Sequence, residues 1–181
     1  MTESLQRLVD TIVAATTGLP TPAVLSAWQP ELSGTLDIRI RDNGSWEHEG
    51  DAIAREGLLR LFASLLRREA DGEYYLVTPA EKWRIRVDRH ALQGIDCDTD
   101  GYNGSAIWYV LLNTGGRCRI GGENKLHPVG DAGEPFALLP NGLSAQITRP
   151  AWYRLIEAAS IEDDCAFIIS GGERIELGRV D

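Results

Sequence analysis

Hydrophobic residues change their spacing several times along the chain, and each change predicts a different structural element. Near the start they recur at helical spacing between charged residues, at Leu5, Leu8, Val9, Ile12 and Val13. This pattern predicts an N-terminal amphipathic helix. Over residues 36–41 hydrophobic and charged residues alternate, which predicts a strand with one buried face. The Asp42-Asn43-Gly44 sequence then predicts a hairpin turn into a second strand at residues 46–48.

The next pattern predicts a helix over residues 53–69, with Asp51 as its N-terminal cap. Its hydrophobic residues fall on one side, at Leu58, Leu61, Phe62, Leu65 and Leu66. Arg60 and Arg67 fall on the opposite side of this helix, so we assign them to a solvated face without function.

Arg55 falls inside the apolar arc of the same predicted helix. A guanidinium in that position needs a partner. Two alternatives are open at this point. One is a structural ion pair with Asp37 or Glu81, and the other is a ligand anion held near the helix N-terminus.

The remaining patterns predict mostly strands, at residues 74–77, 83–87, 92–97, 105–112, 117–120 and 126–129, and a final hairpin at 166–177. A second helical stretch is predicted over residues 143–147 and 151–159. The expected fold class is therefore α+β, with two small domains that each contain a mainly antiparallel sheet and one principal helix. We place an N-terminal helix and arm at residues 1–33, the first domain at 34–98 and the second at 99–181.

The charge balance excludes some classes of partner. Aspartate and glutamate number 27 against 18 lysine and arginine residues, which gives a net charge of −9. This balance argues against general nucleic-acid binding and against binding to anionic lipid. The N-terminal pattern is too interrupted for a membrane span or a signal peptide, and three cysteines fit a reducing compartment. We therefore expect a cytoplasmic protein, whose protein partners the sequence does not identify.

The sequence contains no recognisable catalytic template. Cys97, Cys118 and Cys165 form no C-x-x-C pair, and the histidines do not have the spacing of metal ligands. We therefore predict no catalytic residue, no metal site and no cofactor, and favour a binding protein over an enzyme.

The turn after the strand at residues 74–77 brings together Thr78, Glu81 and Lys82. These side chains could hold a small polar ligand. Equally, the threonine could satisfy amides of the turn while the two charged side chains pair with neighbours.

Several motifs together resemble the bacterial family known as domain of unknown function 1285. The motifs are Trp28-Gln29-Pro30, Gly34-x-x-Asp37-Ile38-x-Ile40, Asp42-x-Gly44-x-Trp46-x-His48-x-Gly50, Ile53-x-Arg55 and Asp71-Gly72-x-Tyr74-Tyr75-Leu76-Val77-Thr78-Pro79-x-Glu81-Lys82. The similarity covers roughly residues 22–178 and is weaker in the second half.

This resemblance implies a two-domain α/β arrangement, with a cleft between the domains suited to a nucleotide-like ligand and a signalling role. We therefore expect a small anionic or nucleotide-like ligand. The alternatives are an enzyme acting on a small phosphorylated or nucleotide-like substrate, and a protein-interaction scaffold. The candidate ligand-binding residues all stand in the family motifs, and they are Arg55, Thr78, Glu81, Lys82, Trp46, His48 and Tyr75.

Overall fold

The polypeptide divides into two units in a computed structural model that describes residues 9–10, 18–101, 106–128 and 133–180. The first unit is Met1–Arg89 with Asn141–Leu143, and the second is His90–Pro140 with Ser144–Asp181. The division that the sequence predicts between residues 98 and 99 stays a prediction. Most of the predicted N-terminal helix lies outside the described residues.

The first unit is a six-stranded sheet with two described helices. Its elements are α1 (Pro22–Ala27), β1 (Leu32–Ile40), β2 (Trp46–His48), β3 (Asp51–Ala52), α2 (Glu56–Leu65), β4 (Leu66–Arg68), β5 (Tyr74–Val77) and β6 (Lys82–Val87). The strand order is β3-β2-β1-β6-β5-β4. The central pair β1 and β6 is parallel, and the other pairs are antiparallel.

Helix α2 covers the apolar face of this sheet. Phe62 and Leu65 are fully buried, and the ring of Phe62 stacks on that of Trp46 with centroids 6.3 Å apart. The prediction of a helix over 53–69 was too long at both ends, because Leu66 is already extended. Leu66 begins strand β4, which pairs with β5. The hydrogen bonds of the sheet therefore replace those that a further helical turn would make.

The second unit contains a six-stranded sheet, a helix and a three-stranded sheet. Its elements are β7 (Leu92–Asp100), β8 (Ile107–Leu112), β9 (Arg117–Arg119), β10 (Leu126–His127), β11 (Phe136–Leu138), β12 (Ser144–Ile147), α3 (Arg149–Glu157), β13 (Ser160–Glu162), β14 (Cys165–Ser170) and β15 (Glu173–Arg179). The large sheet has the order β10-β11-β12-β7-β8-β9, and β13-β14-β15 form the small one. Helix α3 buries Ala151 and Leu155 in the core of this unit.

The two large sheets have the same topology. Each consists of two three-stranded antiparallel meanders, and the first strand of one meander pairs in parallel with the last strand of the other. The prediction of helical structure at 143–147 is wrong, because Ser144–Ile147 is the strand β12 that makes this central pair. The α+β class is confirmed, since both units are rich in sheet and contain few helices.

Candidate functional site

The side of the first sheet opposite helix α2 is lined by charged side chains. Arg67, Tyr75 and Arg84 lie directly opposite one another on β4, β5 and β6. Residues in this register project from the same face of a sheet. We call this surface the charged face, and it also includes Glu69, Lys82, Asp37, Arg39 and Arg86, which occupy the same face by alternation along their strands.

At one end of the charged face, two cations share the carboxylate of Glu69. Arg67 donates from Nη2 to Oε1 at 2.5 Å, and Lys82 donates from Nζ to Oε2 at 3.0 Å. Burial raises the pKa of Glu69, but the hydrogen bonds from Lys82 and Arg67 outweigh this effect and hold the pKa below its ordinary value. The carboxylate is therefore ionised at neutral pH.

Arg67 is buried, with a side-chain exposure of 8%. Its Nη1 donates to the backbone oxygen of Leu25 at 3.3 Å and to that of Trp28 at 2.8 Å. Its Nε has no hydrogen-bond partner. The sequence prediction put this residue on a solvated helical face, and that prediction is wrong because the helix ends two residues earlier. Arg67 instead attaches the segment around α1 to the sheet.

Tyr75 joins the Glu69 end of the charged face to Arg84. Its hydroxyl donates to Asp71 Oδ2 at 2.7 Å, and the Lys82 ammonium lies 4.9 Å from its ring centroid. The hydrogen bond lowers the pKa of Asp71 and raises that of Tyr75. A hydrogen bond with the same phenol raises the pKa of Arg84. Tyr75 therefore stays protonated and holds the Asp71 carboxylate in place.

Three arginines line an open groove of about 480 Å³ on β1 and β6. We call this the arginine groove, after Arg39, Arg84 and Arg86. Arg39 Nε lies 2.7 Å from Asp88 Oδ1, and Arg86 Nη2 lies 2.5 Å from Asp37 Oδ1. Arg84 is less closely paired, because the distance from its Nε to Glu73 Oε2 is 3.9 Å.

Two of the seven predicted site residues, Tyr75 and Lys82, lie together on the charged face, and two more form the adjacent turn. The Thr78 hydroxyl accepts hydrogen bonds from the backbone amides of Ala80 and Glu81 at 3.3 and 2.9 Å. Glu81 accepts a long hydrogen bond from the Trp83 indole at 3.4 Å. Thr78 therefore makes the hydrogen bonds with turn amides that we gave as the alternative to ligand binding.

Trp46 and His48 lie on the other face of the sheet, since they pair with the buried Ile40 and Ile38 of β1. The Trp46 indole nitrogen is buried without a hydrogen-bond partner. His48 Nδ1 lies 3.7 Å from Glu49 Oε2. Their roles in ligand binding stay predictions, and the sheet separates them from the charged face.

Arg55 is not in an apolar arc, and that expectation is wrong. The helix begins at Glu56, so that Arg55 is its exposed N-cap residue with extended backbone angles. The periodicity argument assumed that Arg55 was helical. Its role as a ligand contact stays a prediction.

A metal site is not evident in the part of the chain that the structure describes, where no group of three or more histidine, cysteine, aspartate or glutamate side chains is arranged to hold an ion. Among the same residues, no helix is both long and apolar enough to span a membrane.

The fold and the sequence together show the family. Residues 22–90, which cover α1 to β6, match the N-terminal domain of the family called domain of unknown function DUF1285. A crystal structure of a DUF1285 family protein from Silicibacter pomeroyi DSS-3 is 31% identical, with a TM-score of 0.79 over 96% of this chain and 95% of that chain. The chain therefore belongs to the DUF1285 family.

A second crystal structure supports the fold alone. This DUF1285 family protein from Shewanella baltica OS155 is 24% identical, with a TM-score of 0.57 over 67% of this chain and 91% of that chain. A search of curated proteins found no match.

Proposed function

We propose that the first unit binds a small ligand that carries a phosphate or carboxylate group, as a nucleotide does, and that it serves a regulatory role. The observation that carries this proposal is the arginine groove. Three guanidinium groups line it in a chain whose net charge is −9. A local concentration of arginine on such an acidic background favours recognition of an anion over general electrostatic attraction.

Arg84 is the best candidate for the principal ligand contact. Its side chain is 44% exposed, and its nearest carboxylate is 3.9 Å away, so its planar fork can turn toward a ligand. A guanidinium and a phosphate or carboxylate form paired hydrogen bonds, which are stronger than neutral ones. Arg39 and Arg86 would add charge from either side of the groove, each with an aspartate that keeps it ordered.

Tyr75 and Lys82 would position Arg84 rather than touch the ligand. The Arg84 guanidinium carbon lies 5.9 Å from the centroid of the Tyr75 ring, and the Lys82 ammonium lies 4.9 Å from the same centroid. Thr78 and Glu81 would act one step further away, because their turn leads directly into β6, the strand that carries Lys82 and Arg84.

The carboxylates of the groove favour binding over turnover. The hydrogen bond from Arg39 holds the pKa of Asp88 below its ordinary value. An aspartate in that state has no proton to donate near neutral pH and is a weak base. An enzyme acting on a phosphorylated substrate is the alternative, and product formation in the binding assay would support it.

The proposal can be tested by a thermal-shift screen with inorganic phosphate, nucleotides and small phosphorylated or carboxylated metabolites. A ligand at 100 times its Kd adds about 2.7 kcal/mol to the free energy of unfolding. For a compound that raises the melting temperature, we expect Arg84→Met to weaken the affinity by about ten- to a hundredfold, the loss of one charge-assisted bond.

Arg60→Met is the matched control, because Arg60 is exposed on α2 and on the other side of the sheet from the groove. It should bind as the wild type does. Equal affinity of the Arg84 variant and the wild type, or no stabilisation by any compound, would contradict the proposal. Calorimetry on the purified wild-type protein and the two variants measures each dissociation constant directly.

A further inference from the structure

Two polar side chains that are far from His90 in the sequence lie beside its ring in the second unit. His90 Nδ1 lies 2.9 Å from the hydroxyl oxygen of Ser144, and His90 Nε2 lies 3.6 Å from Glu134 Oε1. A serine, a histidine and a carboxylate form the group that activates a serine nucleophile in many unrelated folds; there the serine faces Nε2, whereas here it faces Nδ1. The cluster is separate from the charged face, which belongs to the first unit.

The sheet explains why these residues meet. Ser144 is the first residue of β12, and this strand pairs in parallel with β7, whose Leu92 lies opposite Ala145 and two residues after His90. On its other side β12 pairs with β11, which begins two residues after Glu134. Strand pairing thus brings both partners to the histidine.

The histidine ring is also held by an aromatic contact. The ring of Phe136 lies 5.3 Å from that of His90, and the ring of His127 stacks on Phe136 at 4.6 Å with an interplanar angle of 8°. The His90 and Glu134 side chains are 14% and 16% exposed, and Ser144 is partly buried. The three side chains are therefore packed together and largely shielded from water.

The two ring nitrogens have different partners, and this difference defines their roles. A carboxylate beside Nε2 favours the proton on that nitrogen, which leaves the lone pair of Nδ1 facing the Ser144 hydroxyl. The 2.9 Å distance is within the range for proton transfer between a nucleophile and its base. We propose that Ser144 is a nucleophile for acyl transfer from small carboxylic esters, with His90 as its general base and Glu134 as a positioning residue.

The proposed step needs no cofactor. As the Ser144 oxygen forms a bond to the ester carbonyl carbon, its proton moves to His90 Nδ1. The ester C–O bond then breaks, and the same proton passes to the departing alcohol, which leaves an acyl-serine. A water molecule that gives a proton to His90 hydrolyses this intermediate, releases the carboxylic acid and returns the proton to Ser144.

Covalent labelling of the wild-type protein tests the nucleophile without any variant. We expect a fluorophosphonate probe to add one label per chain, at Ser144 by peptide mass spectrometry. Ser160, an exposed serine on β13 of the same unit, is the internal control and should stay unmodified. Absence of label at Ser144, or equal labelling of both serines, would overturn the proposal.

Ester hydrolysis tests the other two roles. With p-nitrophenyl acetate as the substrate, Ser144→Ala should abolish turnover, and Ser160→Ala should leave it unchanged. Loss of a general base lowers kcat by about 10²-fold or more, and we expect this of His90→Asn. Glu134→Gln should lower kcat while KM and the melting temperature stay near the wild-type values, as a positioning role requires. Wild-type turnover by the Ser144 variant would refute the assignment.

Discussion

Replacement of the buried Arg67 by methionine tests whether this residue attaches the N-terminal segment to the sheet. Methionine keeps much of the aliphatic stem and removes the charge and all hydrogen-bond donors. Three contacts of Arg67 would be lost, with the backbone oxygens of Leu25 and Trp28 and with Glu69.

These contacts differ in what their loss would cost. The Leu25 oxygen still accepts from the Trp28 amide, and Glu69 still binds Lys82, so neither is left without a partner. A hydrogen bond to a charged group contributes about 1.5–3 kcal/mol, and removal of one half of a fully buried ion pair costs about 3–5 kcal/mol. Because Glu69 keeps its second cation, we expect a loss of about 2–4 kcal/mol in the free energy of unfolding.

Urea unfolding followed by tryptophan fluorescence measures this loss, and hydrogen exchange at Leu25 and Trp28 locates it. The matched control is Arg55→Met, because Arg55 is exposed at the start of α2 and should change stability by less than about 0.5 kcal/mol. If Arg67→Met unfolds at the wild-type urea concentration and protects the Leu25 and Trp28 amides equally well, the assigned role of Arg67 is wrong.

Two further changes probe the charge pairing and the core packing. Since the folded pKa of Glu69 lies below its ordinary value of 4.5, its ionised form adds stability above about pH 4.5, and this is lost as the pH falls through the folded value. In urea titrations, the free energy of unfolding of Glu69→Gln should therefore fall less between neutral and acidic pH than that of the wild type. The same pH dependence in both proteins would contradict the pairing with Lys82. In the second unit, a Cβ at Gly94 would lie 2.4 Å from Val110 Cγ1. Gly94→Ala should therefore lower the free energy of unfolding by about 1–3 kcal/mol through overpacking. Wild-type stability of this variant in urea would show that the core accommodates the extra methyl group.

Local sequence patterns predicted the elements whose signals do not depend on distant residues. The strand at residues 74–77 is the same in the prediction and the structure, and the hairpin at 42–44 does join two antiparallel strands. Both carry clear signals, namely a short run of β-branched and aromatic residues and an Asn-Gly turn.

The predictions failed where pairing with a distant strand decides the conformation. Residues 66–68 continue the helical spacing of α2, yet they pair with β5. Ser144–Ile147 likewise has a helix-like pattern and pairs with β7, more than forty residues earlier. No local periodicity reports such partners, so Arg67 was assigned to the wrong face and the cluster at Ser144 was missed.

The candidate site shows the same limit. Lys82 and Tyr75 were selected from their turn and family motifs. The arginines of the groove come from β1 and β6, which are more than forty residues apart in the chain and lie side by side only through the parallel pairing. The bulged register of that pair places Arg39 opposite Arg86. A shift of one residue would turn either side chain to the apolar face, so the site depends on register as much as on composition.

The shared topology of the two sheets allows their charges to be compared strand by strand. In the first sheet, strand β1 carries Asp37 and Arg39 on the charged face, and Arg41 directly follows the strand. In the second sheet, the equivalent strand β7 carries three aspartates along its outer half, at 96, 98 and 100. An anion would be repelled by that strand, whose carboxylates already bind arginines of β9 and α3. The first strand of the parallel pair thus carries an arginine in the first unit and only aspartates among its charged residues in the second, so the proposed anionic ligand should be sought on the first.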